Sequence, residues 1–235
     1  MYITYIYHSG FLFEFDSFYI LIDFYKGILP ILNKEKKLYV FASHFHSDHY
    51  NPYIFEILKN QKFPLNNILA ILSKDIYYKK IPEEISYIYI KPNQTTALDY
   101  NINVTALKST DSGVAFLITT ASVSIFHAGD LNDWVWDGEA KEKNHNMTAN
   151  FKREINKLKN MAIDIVCFPL DPHLGKNYAN GLLYVLNTFH AQWVFPMHYW
   201  EQKDIIEKFK KEYPVYATKI CNTEDTQNTF YKNSI

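Results

Sequence analysis

The stretch Leu38-Tyr39-Val40-Phe41-Ala42-Ser43-His44-Phe45-His46-Ser47-Asp48-His49 decides how the rest of the chain is read. An apolar run, Leu38 to Ala42, leads into a hexapeptide carrying four metal-ligand side chains, His44, His46, Asp48 and His49. Residues two apart on extended backbone point to the same side, so His44 and His46 can close on one ion from a strand end. Asp48 and His49 begin a second ligand set. Beyond them, Asn51 to Asn60 spaces Tyr53, Ile54, Ile57 and Leu58 for one helix face, and Pro52 suits the first turn. The hexapeptide therefore bridges a strand end and a helix start. A lone histidine is more often an ordinary hydrogen-bonding residue, and the chain has 9 of them. Four ligand types in this order favour a metal site. Nitrogen and oxygen donors suit zinc, as one or two ions, with manganese or iron as alternatives.

The surrounding chain narrows the context. Its 235 residues show no linker, so residues 1–235 are expected to form a single domain. Lys and Arg total 24 against 25 Asp and Glu, a formal net charge of −1, which gives no global field for nucleic acid or an anionic membrane. The two cysteines, Cys167 and Cys221, do not form a secreted disulfide pattern. The start of the chain lacks a basic segment and a small-residue cleavage site, and no apolar run approaches about 18 residues. A cytoplasmic, soluble protein acting on a small molecule is expected, and the sequence is silent on oligomeric state.

Read in order, Tyr2 to Tyr7, Phe11 to Phe15 and Phe18 to Ile22 are three short strands turning at Ser9-Gly10 and Asp16-Ser17. His8 ends the first, and Asp23 follows the third. Either is an ordinary turn residue in isolation; beside a metal site, Asp23 can accept a hydrogen bond from a ligand histidine and fix its tautomer, with His8 also just outside the ligands. Ile68 to Ser73 is a further strand, and the charged stretch Lys74 to Glu84 reads as a solvated connection. Tyr87 to Ile90 and Ile102 to Leu107 are strands; Val114 to Thr119 and Ser122 to Phe126 form a hairpin around Thr120-Ala121 that delivers His127-Ala128-Gly129-Asp130. Asp130 is the next ligand candidate. Asn132 to Asn146 is polar and resembles a surface loop, and Phe151 to Leu158 has amphipathic helix spacing. Ile163 to Leu170 is an apolar strand ending in Asp171-Pro172-His173. A helix over Leu182 to Phe189 precedes the strand Trp193-Val194-Phe195, which ends in Pro196-Met197-His198. An apolar strand with His or Asp at its C-terminal end recurs, which chance placement does not favour.

Together these residues resemble the metallo-β-lactamase fold superfamily of metal-dependent hydrolases, whose motif is His-x-His-x-Asp-His with later single ligands on strand ends. The resemblance spans nearly the whole chain. His8-Ser9-Gly10-Phe11, Leu21-Ile22-Asp23, His127-Ala128-Gly129-Asp130 and Phe195-Pro196-Met197-His198 look closest to the branch that includes the L-ascorbate-6-phosphate lactonase. The resemblance implies an α/β fold, a four-layer αββα sandwich. It implies that His44 and His46 help hold a first metal, that Asp48, His49 and His198 hold a second, and that Asp130 bridges them with a hydroxide as nucleophile. One departure stands out: members with a complete first site usually supply a third histidine, and no histidine occurs between His49 and His127. Asp111, within Lys108 to Gly113, is a turn residue on the ordinary reading and is chemically able to take that place.

A metal-lowered water pKa of about 7 would make hydroxide available at neutral pH for attack on an ester, lactone or phosphoester. Asp48 is then the catalytic candidate, placed to orient the nucleophile and shuttle its proton. Ser47 has no base partner and is not needed as a nucleophile. Flavodiiron-type oxidoreductases share the fold but have glutamate where this chain has His46. The remaining alternatives are a nuclease or phosphodiesterase, which the balanced charge disfavours, and a non-catalytic metal or ligand-binding member with an incomplete first site. Lys26, His173, Trp134 and Trp136 are pocket candidates for which ordinary packing or surface roles are preferred.

Overall fold

The computed structural model describes residues 1–77 and 81–223 and the backbone of Thr229–Phe230. The chain divides into two compact units, one built on Met1–Lys91 and the other on Pro92–Thr223.

In the first unit, strands β1 (Tyr2–Tyr7), β2 (Gly10–Glu14), β3 (Phe18–Ile22), β4 (Lys37–Ala42), β5 (Ile68–Ser73) and β6 (Ser86–Ile90) form a mixed sheet. A late strand, Thr229–Phe230, which is the thirteenth in chain order, pairs with β1. The opening hairpins are antiparallel, whereas β3, β4, β5 and β6 run parallel. The near-continuous apolar runs of β3, β4 and β5 match their burial, since such strands are covered on both faces, whereas the edge strand β6 buries only Ile90. Alternate residues Leu38, Val40 and Ala42 of β4 join the core that also holds Ile54, Phe55 and Leu58 of helix α1 (Tyr53–Asn60). Asn51 precedes the Pro52 that begins the first turn, and its side-chain oxygen accepts from Tyr53 N at 3.0 Å. The turn at Lys74–Ile76 buries Ile76 completely, so the expected solvated connection does not begin there; its residues 78–80 lie outside the described ones.

The second unit holds β7 (Thr95–Ala97), β8 (Asn103–Lys108), β9 (Val114–Thr119), β10 (Ser124–His127), β11 (Ala162–Pro169) and β12 (His190–Met197) in the order β12-β11-β10-β9-β8-β7. Strands β10, β11 and β12 are parallel and the rest antiparallel. Three helices accompany them, α2 (Lys141–Ile155), α3 (Asn180–Thr188) and α4 (Asp204–Glu212). The expected surface loop over Asn132 to Asn146 is corrected at both ends. Leu131 to Trp134 are buried, and α2 already begins at Lys141. Only the last turns of α2 bury apolar side chains, Phe151 and Ile155, so the periodicity marks where the helix ends and not where it begins.

Within each sheet, taken by itself, the parallel strands deliver their last residues to the carboxyl end of that sheet. Asp23 follows β3, His44 lies two residues beyond β4, Asp130 lies beyond β10, Asp171 beyond β11 and His198 immediately after β12. Ligands in open α/β sheets collect at the carboxyl ends of strands for this reason.

Candidate metal centre

In the first unit a single buried carboxylate organises the hexapeptide. Asp23 is fully buried and sits at φ 48, a left-handed conformation that aspartate tolerates better than most residues. Its Oδ1 accepts from Ser43 N at 2.7 Å, and its Oδ2 accepts from Ser43 Oγ at 2.6 Å. The same Oδ2 lies 2.8 Å from His49 Nδ1. A carboxylate only accepts, so His49 carries its proton on Nδ1 and keeps a lone pair on Nε2. The Ser43 hydroxyl proton is committed to Asp23, so the 3.0 Å contact between Ser43 Oγ and His44 Nδ1 is donated by His44. His44 Nε2 is therefore also an acceptor, and it lies 3.0 Å from His46 Nδ1. One carboxylate fixes the tautomer of two candidate ligands.

Asp48 lies on the other side of this cluster. His8 Nε2 is 3.4 Å and His49 Nε2 is 4.0 Å from Asp48 Oδ2. Burial works to raise the Asp48 carboxyl, but the neighbouring His8 and His49 imidazoles overcome it and hold the group well below the usual carboxylate range. His8, Asp48 and His49 each offer a ligand atom within 4.8 Å of the others. His8, expected just outside the ligands, thus occupies a donor position itself. It is reached through φ 57 at the end of β1.

In the second unit the pattern repeats with different residues. Asp171 Oδ2 lies 2.8 Å from His198 Nδ1, and Asp171 Oδ1 accepts from His173 N at 2.8 Å. Burial opposes ionisation of Asp171, yet the bonds from His198 and His173 keep its carboxyl below the ordinary 3.8. The proton of His198 is thereby placed on Nδ1, and its Nε2 faces Asp130 Oδ1 at 3.5 Å. Trp134 donates its indole N–H to the Asp130 carbonyl at 2.8 Å, while Thr110 Oγ1 donates to the Asn132 carbonyl at 2.7 Å and accepts from Asn132 N at 3.1 Å. Asp111 is exposed in a turn closed by Ser109 N donating to Gly113 O, and its carboxylate comes within 4.8 Å of that of Asp130.

These donors suit a metal. Ligand atoms about 2.0 to 2.2 Å from a tetrahedral ion lie about 3.3 to 3.6 Å from one another. The pairs His8–Asp48 at 3.4 Å and His198–Asp130 at 3.5 Å fall in that range, and His44–His46 at 3.0 Å is a few tenths shorter. The Nε2 lone pairs of His49 and His198 turn toward carboxylate oxygens while Asp23 and Asp171 hold their protons on the far side of the ring, which is the donor arrangement of a metal site.

Within the first unit the structure brings together His44, His46, Asp48 and His49; within the second it brings together Asp111, Asp130 and His198. Sequence reasoning assigns no ligand-supporting role to Ser43 or to Asp171. Asp171 carried a legible signal, a polar residue ending an apolar strand two before a histidine. Ser43 carried none, because a serine between a strand and a histidine is an ordinary turn residue until its partners are known.

The sequence model of a family described as the β-lactamase superfamily domain matches residues 2–198. No curated protein matches the chain. Igni18, a metallo hydrolase from the hyperthermophilic archaeon Ignicoccus hospitalis, is 18% identical, with 93% of each chain covered and a TM-score of 0.64. A possible metal-dependent hydrolase from Veillonella parvula is 11% identical, with 97% of this chain and 98% of that one covered and a TM-score of 0.65. CmlA, a diiron β-hydroxylase from Streptomyces venezuelae, is 11% identical over 83% of this chain and 44% of its own, with a TM-score of 0.56. At these identities the likeness is one of fold. Among the described residues no helix is long and apolar enough to cross a membrane.

Proposed function

The chain belongs to the β-lactamase superfamily and has the metallo-β-lactamase fold, and from that premise we propose that it is a metal-dependent hydrolase of a small-molecule ester, lactone or phosphoester. The observation that carries the reading is the paired orientation of its histidines: Asp23 and Asp171, both buried, each accept the Nδ1–H of a histidine, His49 and His198, and leave Nε2 for a ligand. In this reading the metal donors of the first unit are His44, His46, Asp48 and His49, with His8 as a further donor beside Asp48, and those of the second are Asp111, Asp130 and His198. Zinc is the first choice for nitrogen-rich donors, and the carboxylates Asp48, Asp111 and Asp130 also suit manganese or iron.

Divalent ions there supply Lewis acidity and an activated water at neutral pH. The chain's own part is to aim and hold. Asp23 and Asp171 fix the imidazoles, which lowers the reorganisation needed when charge develops on the substrate. Asp48, kept ionised beside His8 and His49, is a hydrogen-bond acceptor at pH 7 that would orient the attacking water. Ser47 is left without a catalytic task.

The test is metal analysis of the purified protein followed by a panel of lactones, esters, phosphodiesters and short RNAs, with and without added zinc or manganese. Hydrolysis of a small ester, lactone or phosphoester that needs added metal and disappears in His46→Ala is the expected result. Cleavage restricted to RNA would replace the reading with a nuclease, and tight metal binding with no hydrolysis of any class would replace it with a binding protein.

A further inference from the structure

We propose that the second unit carries a subsite for a planar aromatic group of the substrate, built from Trp134, Trp136 and Trp200 around His198; its placement beside the reacting bond rests on the hydrolase reading. Four aromatic rings meet here. Trp134 packs edge-on to His198 with centroids 5.4 Å apart, and Trp200 approaches the same imidazole at 5.7 Å and 79°. Trp136 lies parallel to Trp134, at 6.5 Å and 9° between planes. His173 extends the row, 6.2 Å from Trp200.

Ordinary packing explains Trp134, which is 8% exposed, but not its neighbour. Trp136 remains 41% exposed, and Trp200 is half-buried, so both keep ring surface open to solvent. The backbone carrying each has a defined geometry. The side chain of Asn144 clamps Trp136 at both backbone groups, accepting from its N–H at 3.2 Å and donating to its carbonyl at 2.9 Å. Trp200 sits at φ 55 and His198 at φ 61, a region that bulky residues rarely occupy and that collects at binding sites. A backbone set in this way, with Trp136 already stacked on Trp134, lowers the ordering cost of binding a flat ligand.

The charges nearby select among flat ligands. Indole faces attract either aromatic rings or cations. A cation would lie beside His198 and Asp130, where the proposed metal ions place positive charge, and would be repelled. Two exposed carboxylates that follow Trp136 are paired, Asp137 with Lys176 at 3.1 Å and Glu139 with Lys143 at 2.7 Å. A neutral or anionic aryl group, on either the acyl or the leaving side of the scissile bond, is what the wall fits.

Calorimetric titration of the metal-loaded protein with 2-naphthoate and with cyclohexanecarboxylate, equal in charge and different in flatness, tests this. The aromatic acid should bind more tightly. Trp136→Ala should weaken it roughly 2- to 12-fold, the range for loss of one aromatic pair, and leave the alicyclic acid unchanged. Trp136→Phe should recover most of the affinity. Equal binding of the two acids, or insensitivity of 2-naphthoate to Trp136→Ala, overturns the subsite even where metal binds and esters are cleaved. A Trp136-dependent preference for 2-naphthoate in protein that binds no metal upholds the subsite and sinks the hydrolase reading instead.

Discussion

Replacing Asp23 by asparagine removes a charge and one acceptor without changing shape, and asparagine tolerates the φ of 48 that Asp23 adopts, so the backbone is not disturbed. The substituted amide has two orientations in this pocket. With its oxygen toward Ser43 N, its NH2 faces His49 Nδ1, which must then accept and carry its proton on Nε2, the position needed for a metal. With its oxygen toward His49, two donors face each other at Ser43 N, and a buried donor left unmet costs about 1 to 3 kcal/mol. Either way the ligand geometry is reached only at an expense of that order. Loss of such a supporting partner typically lowers metal affinity about 10- to 100-fold, equivalent to about 1.4 to 2.7 kcal/mol. Chelator competition would measure the affinity, and long-range imidazole 1H–15N spectra at pH 7 would report the His49 tautomer. Asp23→Asn protein with wild-type affinity and an Nδ1 proton still on His49 would refute the relay.

Three further outcomes follow from other parts of the molecule. Gly181, at the start of α3, has no room for a side chain, since a Cβ there would fall 1.9 Å from Asn132 Oδ1; Gly181→Ala should lower stability by about 1 to 3 kcal/mol, measurable by urea unfolding. Burial raises the Asp133 carboxyl above its ordinary 3.8 despite the lowering influence of Thr148 and Lys152. Its folded form therefore favours the proton, and stability falls as pH rises from the unfolded-state value through the folded one. Asp133→Asn should stabilise the protein at neutral pH, with the gain vanishing below about pH 3.8; a gain that persists at acid pH would contradict this. Finally, Asp111→Ala should weaken one metal equivalent and spare the other in a titration followed by metal analysis, and two undiminished equivalents would remove Asp111 from the site.

The residues that spoke most plainly in the sequence are those whose environment is local. His44, His46, Asp48 and His49 are close because six consecutive residues leave a strand and turn, so their spacing already contains most of the geometry. The strand ends at Asp130 and His198 were legible as polar residues stopping apolar runs. What was hidden depends on partners far along the chain. Ser43 acquires meaning only because Asp23, twenty positions earlier, comes within 2.6 Å of its hydroxyl. Asp171 becomes the support of His198 through parallel pairing of β11 with β12, a register that neither strand encodes alone. Helix α2 was obscured for another reason: its first half is solvated and polar, and solvent imposes no periodicity on it.

His8, Asp23 and His198 share a backbone trait, with φ of 57, 48 and 61. Left-handed residues are filtered by sterics before chemistry is consulted, and glycine and asparagine fit there with least strain while β-branched residues fit worst. In a population of random variants, protein abundance at these three positions would thus rank glycine and asparagine high and valine and isoleucine low. A selection for turnover would discard glycine and asparagine alongside the rest. The mismatch between the two rankings identifies the positions where backbone shape and ligand chemistry are separate demands on one residue.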